Sequence, residues 1–202
     1  MTIFSRRQIL SHSGTLALAA LLPAWPAAAA EAVAVADVSF PSAQTLQGKS
    51  LQLNGAGVRY KAVFKVYAAG LYLEKKAATP AEVQAQKGPK RLSVTMLRDI
   101  DSSELGKLFS RGMEDNLDRA VFSKLIPGVL RMSQIFSEHK MLKSGDNFSV
   151  DWLPGTGTLV TVKGQPQGEP FKEPEFFDAL LSIWLGQQPA DWKLKDALLG
   201  KG

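Results

Sequence analysis

Three polar side chains in this sequence stand where apolar neighbours dominate, and each of them needs a partner. Arg59 follows Gly55-Ala56-Gly57-Val58 and enters a run rich in apolar and aromatic residues. An arginine there must either snorkel out to water or meet an anion. The glycines before it do not make a phosphate cradle, which would require another glycine at Tyr60 and a helix directly after it. They read instead as a turn needing positive φ. Asn116 lies on the apolar face of a predicted helix, with Phe109 two turns earlier on that face. A buried amide must find partners or cost roughly 1–3 kcal/mol, so Asn116 either satisfies nearby backbone or makes a polar contact inside a pocket.

Tyr67 belongs to an aromatic series with Tyr60, Phe64 and Tyr72. Ordinary sheet packing explains aromatics in such a run. Strand periodicity would place Arg59, Lys61, Val63, Lys65 and Tyr67 on one face. On one straight strand Arg59 and Tyr67 would stand about 27 Å apart, at about 3.4 Å per residue. They can approach each other only if residues 59–67 contain a turn of their own, and Arg59-Tyr60-Lys61 is polar enough to allow one.

Composition removes many other chemistries. The chain has no cysteine, so disulfides, thiolate nucleophiles and Cys-ligated metals are excluded. Beyond the first thirty residues His139 is the only histidine. A multi-His metal site therefore lacks its ligands, and a catalytic triad would have to use His139, which reads as a surface imidazole near a helix end. No metal and no cofactor are expected. Taking Arg6 and Arg7 from the 24 basic residues leaves 22 against 19 acidic ones, a net charge of +3. That is too mild for a nucleic-acid footprint. After residue 30 no stretch approaches 18 consecutive apolar residues, so no transmembrane segment is expected there.

The elements that must position these residues read as follows. Residues 31–45 are a loose lead-in. Ser50–Leu53 and Lys61–Leu73 are strands joined by a turn at Asn54–Gly57. A short helix follows, with Thr79 as its cap and Pro80 in its first turn, then a strand over Arg91–Leu97. Asp101 and Glu104 open a helix whose inward face carries Leu105, Leu108, Phe109, Gly112, Met113, Asn116, Leu117 and Ala120. Pro127 opens the next helix. Asn147–Leu153 and Thr158–Val162 form a hairpin around Pro154-Gly155. A helix from Pro174 to Leu185 stops at Gly186, and a last one covers about Trp192–Leu199. Hairpins in place of regular βαβ crossovers indicate an α+β domain, an antiparallel sheet with helices packed on one face.

Residues 1–30 have the layout of a cleavable signal peptide: Arg6-Arg7, an apolar core Leu16–Leu22, then Pro23, Pro26 and the small residues Ala27–Ala30. Cleavage is expected after Ala30, with Ala36 as the weaker site. Ser5-Arg6-Arg7-Gln8-Ile9-Leu10 resembles the twin-arginine export motif. Residues 31–202 would then be a single soluble domain outside the cytoplasm, in the periplasm or beyond.

Leu53-Asn54-Gly55-Ala56-Gly57-Val58-Arg59, followed by Phe64-Lys65-Val66-Tyr67-Ala68-Ala69-Gly70-Leu71-Tyr72-Leu73, resembles the signature of the chalcone isomerase family. Phe109–Asn116 and Phe176–Gly186 continue the resemblance in order, over roughly 45–200, and it is similar to the bacterial exported members. The resemblance implies an open-faced β-sandwich. In the family's isomerases an arginine after the Gly-x-Gly turn, matched by Arg59, orients the substrate, and an asparagine matched by Asn116 contacts its far hydroxyl. Those two would be the catalytic residues of an isomerase (intramolecular lyase). The family's threonine and tyrosine that hold the ketone fall at Tyr67 and Phe109 here, which departs from the enzymes. The non-catalytic fatty-acid-binding members instead grip a carboxylate with an arginine and a tyrosine. Arg59 and Tyr67 fit that pair, with Phe109, Met113 and Asn116 as further ligand-binding residues. The resemblance thus implies a non-catalytic protein holding a fatty acid or similar apolar carboxylate. Isomerase activity, or a structural partner protein with a closed pocket, are the alternatives.

Overall fold

The computed structural model describes residues 31–201. The signal-peptide and twin-arginine assignments lie outside the described residues. In chain order the strands are β1 (Ala32–Val35), β2 (Val38–Pro41), β3 (Ala43–Leu46), β4 (Lys49–Lys61) and β5 (Phe64–Leu73). Helix α1 (Pro80–Ala85) precedes β6 (Lys90–Met96), β7 (Ile100–Asp101), α2 (Ser102–Glu114) and α3 (Arg119–Ser137). Then come β8 (Met141–Leu142), β9 (Asn147–Leu153), β10 (Gly157–Val162), β11 (Gln165–Pro166), α4 (Pro174–Leu185) and α5 (Trp192–Leu198).

The main sheet has seven antiparallel strands in the order β11-β10-β9-β6-β5-β4-β3. Alternation along β5 divides its side chains between two cores. Tyr67, Ala69, Leu71 and Leu73 join all five helices in the large core, while Ala68 and Tyr72 join Phe40, Leu51 and Leu53 on the opposite face. The fold is α+β, with the helices on one face of a curled antiparallel sheet.

Residues expected to be a loose lead-in form the β1–β2 hairpin, which covers the second face. Its turn uses Ala36 and Asp37 at positive φ without the glycine or asparagine that usually marks such a turn. Phe40 from this hairpin lies so close to Gly70 that a Cβ there would stand 2.6 Å from the ring.

The expected turn at Asn54–Gly57 is a correction. β4 runs straight through these residues, and the chain reverses at Ala62-Val63, with Ala62 at φ 55°. Gly55 and Gly57 are not among the positive-φ residues; they are small because α5 lies on them. A Cβ at Gly55 would be 2.0 Å from the Ala197 carbonyl oxygen, and one at Gly57 2.6 Å from the Ala197 Cβ. A register shift between Leu53 and Gly55 turns Asn54 inward. Its amide donates to the Ala77 and Leu198 carbonyls at 2.9 and 2.7 Å and accepts from the Ala77 N–H at 2.7 Å.

Helix boundaries follow the caps. Thr79 accepts from the Glu82 N–H, and Asp101 accepts from the Ser103 and Glu104 N–H groups. The expected helix to Ala120 stops at Glu114, however, and Pro127 sits inside α3 and does not open it. Leu125, Val129, Met132 and Phe136 of α3 are buried, which offsets the roughly 3 kcal/mol that an interior proline costs. His139 is half-buried, its Nε2 2.9 Å from Gln167 Oε1.

Candidate ligand-binding site

The reversal at Ala62-Val63 sets the geometry of the site. It folds β5 back along β4, and a register shift between Arg59 and Tyr60 then makes Arg59 and Tyr67 directly paired residues across the hairpin. Both side chains project to the helix face, where the Arg59 guanidinium carbon lies 5.6 Å from the Tyr67 ring centre. The local turn left open by the sequence is therefore present. It converts a separation of some 27 Å along a straight strand into contact.

Around this pair is a cavity of about 260 Å³, lined also by Leu105, Leu108, Phe109 and Gly112 of α2 and Ile183 of α4. Gln188, Pro189 and Ala190 close it from the loop before α5, and Arg111 and Asp115 stand at its exposed rim as an ion pair at 3.8 Å. Arg59 is half-buried, and its Nε is shielded from water with no hydrogen-bond acceptor. No salt bridge involves it among the described residues. A cation held this way in an otherwise largely apolar chamber is set to receive an anion.

Tyr67 is buried, and its hydroxyl accepts from the indole N–H of Trp184 at 2.8 Å. Accepting that bond leaves the phenolic proton free to donate into the cavity. Burial, only partly opposed by Arg59 and by the Trp184 bond, pushes the Tyr67 pKa up to about 12. The hydroxyl thus keeps its proton at neutral pH. The linkage has a definite sign: with the unfolded value at 10 and the folded value at about 12, the stability tied to this group is full below pH 10. It falls as pH rises from 10 to about 12. Urea unfolding across that window should show this loss in the wild type, with the contribution absent from Tyr67→Phe. Parallel curves for the two proteins would contradict the buried, proton-holding tyrosine.

Phe109 reaches the cavity and is held edge-on by Phe136, Phe148 and Trp184, with ring centres 5.1, 5.7 and 5.7 Å away. Trp184 is a residue the sequence reading missed. The signal was its indole N–H within a helix of apolar side chains, since a buried indole usually finds an acceptor.

Two expected ligand-binding residues are not part of this chamber. Met113 is fully buried in the core and does not line it. Asn116 donates to the Gly112 and Gln188 carbonyls at 2.8 and 2.9 Å and accepts from the Gln188 N–H at 2.7 Å. Its amide ties the end of α2 to the loop after α4, the backbone-satisfying alternative. Asn116 lines a different and larger cleft of about 420 Å³, which also carries Glu175 and Asp178. The cation of that cleft, Lys195, donates to the Gly186 carbonyl at 2.7 Å. The smaller chamber has its one carboxylate, Asp115, paired with Arg111 and keeps Arg59 Nε without an acceptor, so it is the better candidate for an acid.

Comparison with solved structures finds the same architecture in the crystal structure of an Arabidopsis thaliana fatty-acid binding protein. The TM-score is 0.66 at 16% identity, covering 84% of this chain and 96% of that one. No curated protein matches by sequence. The family model described as chalcone isomerase-like matches residues 32–200. With nearly all of the described fold inside that match, the chain belongs to the chalcone isomerase-like family.

Proposed function

We propose that this protein is a non-catalytic binding protein for a fatty acid or similar apolar carboxylate, gripped by Arg59 and Tyr67. The observation that carries this reading is the Arg59 Nε, buried without an acceptor beside a protonated tyrosine hydroxyl in a chamber with apolar walls. A guanidinium can give two parallel bonds to a carboxylate, and the Tyr67 hydroxyl can add a third. Leu105, Leu108, Phe109 and Ile183 would then face the tail. The chamber, about 260 Å³, is near the small end of ligand pockets, roughly 300–1,000 Å³, which favours short or medium tails. The similar Arabidopsis protein's description as fatty-acid binding supports the same class.

The isomerase alternative has less support. An enolate needs donors already in place; Phe109 has no hydroxyl, and the Asn116 amide is engaged with backbone. The closed-pocket alternative is disfavoured by the chamber itself. Calorimetric titration with decanoate and with decanol tests the reading. Saturable binding of the acid, with the alcohol much weaker, is expected; equal binding of the two, or none, would remove it.

We further infer export to the periplasm after removal of residues 1–30. The support is the Arg6-Arg7, Leu16–Leu22 and Ala27–Ala30 pattern together with a bond from the Ser42 N–H to the Glu31 carbonyl at 2.8 Å. Cleavage after Ala36 would instead remove all of β1. Mass mapping of the accumulated protein should find Glu31 first, and a stable product beginning at Met1 or Thr2 would reject export. Replacing Arg6-Arg7 by lysines should block export by the twin-arginine route.

A further inference from the structure

The β4–β5 hairpin projects beyond the sheet and ends in exposed apolar side chains. Val63 is 82% and Phe64 60% exposed, with Tyr60 at 41% beside them. The Tyr60 N–H donates to Asp191 Oδ2 at 2.8 Å, which ties the start of α5 to the hairpin. Trp192, the next residue, is 59% exposed. Aromatic rings of this kind favour the boundary between water and hydrocarbon.

Cations surround these residues. Lys61, Lys65 and Arg98 are exposed, and the Arg98 guanidinium lies 5.6 Å from the centre of the Phe64 ring. Two carboxylates nearby keep their charge but are turned to backbone donors, Asp99 accepting from the Ser144 N–H and Asp191 from the N–H groups of Tyr60, Lys193 and Leu194, so the three cations remain in excess. The tip thus combines a small apolar point with a cationic collar. A second copy would meet that collar with like charge. Two prominent side chains also fall far short of the roughly 1,000 Å² expected of a stable protein interface.

We propose that this tip docks on an anionic phospholipid surface. Val63 and Phe64 enter the acyl boundary, and Lys61, Lys65 and Arg98 lie among the phosphates. The Arg59–Tyr67 pair lies just behind the tip on the same hairpin, so docking sets the chamber against a source of apolar acids. That purpose rests on the binding reading above, whereas docking itself is measured without any added acid.

The chain has no cysteine, so Val63→Cys accepts a single environment-sensitive dye at the tip. Thr156→Cys, in the β9–β10 turn at the other end of the sheet, serves as the control. The full chain is titrated with phosphatidylglycerol-containing vesicles and with pure phosphatidylcholine vesicles. The local dye reports the tip, whatever residues 1–30 contribute. A blue shift at position 63 with the anionic vesicles is expected, with none at 156, and it should weaken when salt is raised well above about 0.1 M. Each basic residue near such a surface contributes roughly fivefold in affinity. Lys61→Glu with Lys65→Glu should therefore weaken docking at least about twentyfold while leaving decanoate titration unchanged. No shift at 63, equal shifts at both positions, undiminished docking by the double variant, or a shift from self-association without lipid would each overturn the proposal. Failure of decanoate binding alongside a normal shift would count against the acid-binding reading only.

Discussion

Arg59→Ala should weaken binding of a medium-chain fatty acid at least about thirtyfold. Removing one partner of a desolvated charged pair costs roughly 2–5 kcal/mol, and the lower bound already corresponds to about thirtyfold. The upper part of that range is reasonable here, because the Arg59 Nε is shielded from water and has no acceptor of its own. Arg59→Lys should recover only part of the loss, since an ammonium keeps the charge without the planar fork. Tyr67→Phe should cost less in affinity, near the roughly 1.5 kcal/mol at the low end for a hydrogen bond to a charged group. It also leaves the Trp184 indole without its acceptor, so it should lower stability as well, which a melting curve separates from affinity. Equal affinities across wild type, Arg59→Ala and Tyr67→Phe would dismiss the carboxylate grip.

Arg91→Ala should cause the largest loss of stability. Asp151 is 2% exposed and receives two bonds from the Arg91 guanidinium, both at 2.7 Å. A third bond from Arg91, to Gln44 at 2.8 Å, reaches the far edge strand β3. Truncating the arginine leaves a buried carboxylate uncompensated, which costs about 3–5 kcal/mol. For a domain of this size each kcal/mol shifts the midpoint by roughly 2–4 °C, so a fall of about 6–20 °C is expected. The pair itself is not the source of that cost. Arg91→Met combined with Asp151→Leu should therefore recover most of the stability. A single variant that melts within a degree or two of wild type would show that water or another cation reaches Asp151.

What the sequence determined lies mostly within short reach along the chain. Thr79 and Asp101 cap α1 and α2 through bonds to residues two or three positions away, so the side chains that start these helices are visible in the sequence. The alternation in Asn147–Leu153 likewise fixed β9, and the α+β class followed from hairpins where crossovers would otherwise be. The family signature pointed to Arg59, Tyr67 and Phe109, and the fold places all three at one chamber.

Only the tertiary structure decided how those residues meet. The glycines at 55 and 57 marked a turn by local rules, yet they are small because α5, some 140 residues later, lies on β4. The true reversal at Ala62-Val63 carries no glycine. That reversal, together with a register shift between Arg59 and Tyr60, pairs Arg59 with Tyr67 where the turn alone would pair it with Val66. Met113 shares a helix face with Phe109 but points into the core, and Asn116 spends its amide on Gly112 and on Gln188, 72 positions away. Trp184 reaches Tyr67 across 117 positions. Caps and periodicity depend on neighbours a few residues apart, whereas register, close approach and the partner of a buried polar group depend on which distant surfaces come together.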